Sequence, residues 1–143
     1  MGESENTLSP IQPYVVVAVL CDTIITEAET NKKTLVGLFD KVFSPGFPVV
    51  QRFGIYVKLT DAQGLYQLRL DYVKRDTNTV IESIEIGGIQ IDDRLGSSDV
   101  VFSIATGIPD NGAYEFRLYA NGSFLTHVDF SAELLAPTED NPS

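Results

Sequence analysis

From Tyr14 to Leu134 the apolar residues alternate with polar ones, and no stretch sustains a helical period. Phe53, Ile55, Val57 and Leu59 share one face of a strand. Tyr66, Leu68, Leu70 and Tyr72 share one face of the next, and Asp61-Ala-Gln-Gly64 lies between. That spacing predicts a hairpin. A second hairpin is predicted from Ala113–Ala120 and Phe124–Leu134, because Asn121-Gly122 suits the positive dihedrals of a type I′ turn. Thr34–Val42 reads as a further strand with Gly37 at a bulge or close approach. Val80–Ile86 and Ile89–Ile91 read as short strands broken by Gly87-Gly88, and Val100, Phe102 and Ile104 begin another. The pattern predicts an all-β antiparallel sandwich, Ig-like or jelly-roll-like, of about eight or nine strands.

One stretch departs from alternation. Tyr14–Cys21, YVVVAVLC, is apolar on both faces, as in a central strand or one covered on its second side. Strict alternation puts Val15, Val17, Val19 and Cys21 on one face. The other face needs a cover. A neighbouring subunit could supply it, or the loop Ser44–Pro48 (SPGFP), whose two prolines keep it out of a sheet and whose Phe47 can tuck inward. An unpaired edge strand would also invite a partner strand.

The 143 residues fit one domain, expected over 14–135, with a flexible acidic tail over 1–13 and a disordered one over 136–143. Apolar residues make up 43% and charged residues 21%, a globular composition. The net charge of -10 argues against nucleic acid and anionic membranes as partners. The only adjacent basic pairs are Lys32-Lys33 and Lys74-Arg75, too little for a nucleic-acid footprint. A single cysteine excludes an internal disulfide. The start MGESENTLSPIQP lacks the basic and apolar runs of a secretory leader, and the longest apolar run, Val15–Leu20, is too short for a membrane span. The expected compartment is the cytoplasm.

Candidate chemistry is sparse. Cys21 stands beside Asp22, whose carboxylate disfavours a thiolate, so Cys21 reads as a small core residue rather than a nucleophile. Asp22 is expected to end or turn the strand. His127 shares a face with Leu125, Asp129, Ser131 and Glu133 and is expected to be exposed, away from Cys21. One histidine and one cysteine are too few for an ordinary zinc site. Asp92, Asp93, Asp99 and Asp110 flank loops and are weak calcium candidates, with Arg94 among them. Asp71, Glu82, Glu85 and Glu115 lie on strands, where solvated outer faces account for them better than paired catalytic carboxylates. No cofactor motif is present, since Gly87-Gly88 joins strands and opens no helix.

Asp110-Asn-Gly-Ala-Tyr-Glu-Phe116 resembles the tyrosine corner of immunoglobulin-like sandwiches, with Asp110, Gly112 and Tyr114 at matching positions. There the tyrosine hydroxyl bonds back to the backbone. Phe116 stands where that family has its second cysteine, so the resemblance implies the packing without the disulfide. A longer resemblance runs from CDTIITEAETNKKTLVGLFDKVFSPGFP through LTDAQG to PDNGAYEFRLYANG. It is to an uncharacterised bacterial family of small all-β proteins with no assigned activity, and it implies a bacterial single domain. The function expected is a non-catalytic binding or assembly module acting through protein contacts or self-association. The alternatives are a structural component of a phage or secretion particle, a carboxylate-based enzyme, and a calcium-dependent binder using end loops.

Overall fold

The computed structural model describes residues 10–135. Among them run nine strands: β1 Tyr14–Thr26, β2 Lys33–Leu38, β3 Lys41–Ser44, β4 Val49–Thr60, β5 Gly64–Lys74, β6 Thr79–Ile91, β7 Ser97–Ile108, β8 Gly112–Ala120 and β9 Ser123–Leu134. One sheet has the order β2-β1-β4-β7 and the other β3-β9-β8-β5-β6. The two sheets are not closed into a barrel; they face each other as a sandwich. No helix among the described residues is long and apolar enough to cross a membrane.

The core lies between the sheets. β4 contributes Phe53, Ile55, Val57 and Leu59, and β5 contributes Tyr66, Leu68, Leu70 and Tyr72, all buried. The rings of Phe53, Tyr72, Tyr114, Phe116 and Phe130 pack with centroids 4.9 to 6.3 Å apart in their contacting pairs. Burial is the main stabilising term, at roughly 1.5–3 kcal/mol for each large apolar side chain taken out of water.

The apolar faces fall where alternation puts them, but β4 and β5 are not a hairpin. They lie in opposite sheets. Two strands with one apolar face each satisfy the same pattern side by side or face to face. The turn decides between these. Asp61 takes φ 56° and Gly64 φ 131°, and the Tyr66 hydroxyl accepts the Gln63 N–H at 2.8 Å and donates to the Ile11 carbonyl. This corner sends the chain across the core. It also ties down residues 10–13, assigned to the tail from the sequence: Ile11 N–H donates to the Gln63 carbonyl and Pro13 is buried. Residues 1–9 and 136–143 lie outside the described residues.

β8 and β9 do form the expected hairpin, with Asn121 at φ 50° and Gly122 at φ 83°. Thr34–Val42 is two strands instead of one. Phe39 turns inward and its ring lies 6.0 Å from that of Phe53, so the chain leaves the first sheet there. β3 then joins the second sheet parallel to β9, the one parallel pair among the described residues. Gly87-Gly88 does not break β6, which is continuous. A Cβ on Gly88 would meet Leu65 Cδ1 at 2.8 Å, so glycine there relieves crowding.

β1 carries the largest correction. A bulge between Val15 and Val17 shifts the alternation by one residue. Val15, Ala18 and Leu20 therefore pack on the core, opposite Leu59, Val57 and Ile55. Val17, Val19 and Cys21 face outward. Within the chain, the cover over part of the outer face is not the SPGFP loop, whose Phe47 packs against the core. It is the end of the β1–β2 hairpin itself. Ile24 Cγ1 stands 3.2 Å from the place a Gly54 Cβ would occupy, so a side chain at Gly54 would push the hairpin off. Gly37, at φ 73°, lies opposite Asp22, whose carboxylate fills the space a Cβ would need.

Candidate functional site: the half-open edge of the sandwich

β2 and β3 are short strands at the same side of the sandwich. β2 pairs with β1 only from Cys21 onward, and β3 pairs with β9 only from Ser131 onward. The remaining halves, Tyr14–Leu20 of β1 and Ser123–Phe130 of β9, have no strand beyond them among the described residues. Ser131 N–H donates to the Asp40 carbonyl. By alternation, the N–H and C=O of His127 and the N–H of Asp129 point to the same side, where nothing pairs with them. The Leu20 carbonyl takes the Phe39 N–H at 3.2 Å, and Ala18, two residues earlier, has the same orientation with no strand opposite.

Between these half-edges runs a groove of about 540 Å³. Ala18, Leu20, Leu38, Phe39 and Val128 give it an apolar floor, and Asp40, His127 and Asp129 supply its polar groups. Each half-edge is bulged, at Val15/Val17 and at Phe124/Thr126. Bulges of this kind blunt indiscriminate edge-to-edge pairing. An extended chain entering here would find backbone partners on one side and apolar side chains beneath.

On the outer face of the five-stranded sheet, next to the groove, lies a charged network. Glu115 is 7% exposed, and its Oε2 accepts Arg117 at 2.5 Å. Arg117 also donates to Asn78 Oδ1 at 2.8 Å. Its guanidinium is held even more firmly protonated than usual, first by the bond to Glu115. His127 Nδ1 lies 2.6 Å from Asp129 Oδ1 and 3.4 Å from Glu115 Oε1, and Arg75 reaches Asp129 at 3.5 Å. Asp71, 6% exposed, accepts Arg69 at 3.1 Å and Ser83 at 2.7 Å. Glu115, His127 and Asp129 are the one group among the described residues that brings three ligating atoms within 4.8 Å of one another. Each carboxylate of that trio already faces a guanidinium, so a metal ion would enter against two positive charges.

The aspartates weighed for calcium do not converge. Asp92 accepts Gln90, Asp93 accepts the Leu95 N–H, Asp99 accepts the Tyr56 hydroxyl, and Asp110 accepts Lys74 and Tyr114. Each carboxylate answers a nearby donor, and no three of them approach as ligands. Asp110 sits below the usual carboxylate range, chiefly through Lys74 and then Tyr114. The Tyr114 hydroxyl donates to the Asp110 carbonyl at 2.7 Å, four residues upstream, and burial raises its pKa. Gly112 precedes it at φ 146°, and Phe116 fills the core. Tyr66 repeats the device two residues after Gly64, an echo of Gly112-Ala-Tyr114 that the sequence offered and only one corner was read from. Cys21 is buried but lies on the outer side, its Sγ over Gly54. Burial, more than any other cause, raises its pKa. His127 is exposed.

The model of a family of unknown function, DUF6941, matches residues 16–133, from within β1 to the end of β9. The chain belongs to that family. The match reaches into all nine strands. No curated protein matches the chain.

Proposed function

We propose that this DUF6941 domain is a non-catalytic binding module that takes an extended segment of a partner protein along the open half of β9. The observation that carries the reading is the groove. Two strands present unpaired backbone groups to it, and its floor is apolar. An added strand gains main-chain hydrogen bonds from the edge and specificity from alternate side chains. The acids Asp40 and Asp129 favour a segment that alternates apolar residues with a lysine or arginine. The free cysteine and the absence of a disulfide suit a reducing compartment, and with the family resemblance this reading favours the bacterial cytoplasm.

The test is co-purification from the native source of the wild-type chain and of Leu38→Glu, which puts a charge on an exposed position of the groove. A stoichiometric partner retained by the wild type and lost by the variant, with unchanged melting temperature, supports the reading. A partner held equally by both contradicts it.

A further inference from the structure

A second recess, of about 430 Å³, opens on the outer face of the four-stranded sheet, where the β1–β2 turn overhangs β4 and β7. Lys32, Lys33 and Lys58 line it, together with Asn31, Tyr56 and Asp99. The chain has 10 lysines and arginines against 20 acids. Lys41, Arg69, Lys74, Arg75, Arg94 and Arg117 each have a carboxylate within 4.0 Å. Among the described residues the other four, Lys32, Lys33, Arg52 and Lys58, have none. Three of those four converge on this recess, in a chain where acids outnumber cations.

Asp99 stands opposite Lys58 across the β4–β7 ladder and would be its natural partner. It is engaged elsewhere: its Oδ1 accepts the Tyr56 hydroxyl at 2.5 Å. Tyr56 keeps its proton, with its pKa pushed up to about 12 by burial and then by Asp99. The one acid of the recess is thus turned to the tyrosine and makes no ion pair with Lys58 within 4.0 Å, so the recess holds three ammonium groups and one carboxylate. Lys33 is steadied by the carbonyl and side-chain oxygens of Asn31, each at 3.2 Å. Three ammonium groups on two separate chain segments remain for a ligand.

We propose that this recess binds a phosphomonoester group. Three ammonium donors suit a dianion with three exposed acceptor oxygens better than a singly charged carboxylate. Leu35, on the recess wall, offers apolar contact to whatever carries the phosphate. The chain's net charge of -10 opposes any anion, but that repulsion is screened beyond about 10 Å at 0.1 M salt. The lysines act at contact distance. The site is separate from the groove along β9 and does not depend on it.

The test is titration of the full chain, followed by amide chemical shifts, with three probes: inorganic phosphate, ribose 5-phosphate, and a short phosphoserine peptide. Saturable shifts at Tyr56 and Lys58 with at least one probe are expected. Lys58→Gln should weaken that binding on the order of tenfold, and Arg52→Gln, which removes the cation outside the recess, should leave it unchanged. Tightest binding of ribose 5-phosphate assigns the site to a small metabolite. Tightest binding of the peptide assigns it to a phosphorylated partner. No saturable shift at millimolar probe, or equal weakening by both substitutions, overturns the proposal.

Discussion

The two outer faces of the sandwich are built from the same pleated geometry and solve opposite problems. On the five-stranded sheet, charges answer one another. Arg69 clamps Asp71, Arg117 clamps Glu115, Arg75 reaches Asp129, and Arg69 also lies 4.1 Å over the Tyr119 ring. On the four-stranded sheet, Val17, Val36, Leu38 and Val101 stay exposed, a hairpin end covers only part of the face, and three lysines lack carboxylate partners among the described residues. The charges named on the first face are paired among its own residues, although Phe43, Leu65 and Phe124 stay exposed there. The second, with the half-open edge beside it, holds the groups still available to a partner. The contrast locates binding where valences are left over, and it does so without any catalytic motif.

The largest expected effect comes from breaking the charge-paired face. Arg117→Leu leaves Glu115 buried without its guanidinium and should cost about 3–5 kcal/mol in urea denaturation. Adding Glu115→Gln should recover part of that loss. Lys58→Leu on the other face should change stability by less than about 0.5 kcal/mol. Similar costs for the two single substitutions would erase the distinction between the faces.

Next is the hinge of the hairpin cover. Gly37→Ala meets both a positive φ and the Asp22 carboxylate and should cost about 1–3 kcal/mol. If the hairpin is the lid over Cys21, the same change should speed labelling of the native thiol. Gly46→Ala, with open space around it, serves as the neutral control. Unchanged labelling in Gly37→Ala would mean the thiol is shielded by something else.

Much of this was legible in advance, and the failures have particular causes. Phe53, Ile55, Tyr66 and Tyr72 fall on the expected faces because a period of two survives any strand order. Partners are another matter. Counted straight back from Asn121-Gly122, Glu115 would oppose Val128. The bulge at Phe124/Thr126 moves it opposite Asp129 and so creates the Glu115–His127–Asp129 group. The need for Phe116 and Val128 to face the same core was the one clue to that shift. The bulge at Val15/Val17 likewise carried Cys21 to the outer side. The groove was foreshadowed by the doubly apolar YVVVAVLC. The lysine recess was not, because Lys58 lies 25 residues from Lys33 and only the hairpin overhang unites them.

Two smaller effects concern the corner shared by both sheets. Tyr114→Phe removes the hydroxyl that holds the Asp110 carbonyl and should cost about 1 kcal/mol, read as a lower melting temperature. Asp110→Asn should be smaller still, present near neutral pH and vanishing in acid. The folded carboxylate has a lowered pKa, so its contribution is present above the unfolded value near 3.9 and is lost as pH falls through the folded one. The wild type should therefore lose stability below about pH 4 more steeply than Asp110→Asn. Parallel curves would remove the Lys74–Asp110 pair from the account.

The most direct test of where this domain binds is photo-crosslinking in the native cell, from a reactive side chain placed at Leu38 beside the groove and, separately, at Glu85 on the charged face. The account predicts a discrete protein adduct from Leu38 and none from Glu85. An adduct from Glu85 alone would contradict it and move the binding surface to the opposite sheet.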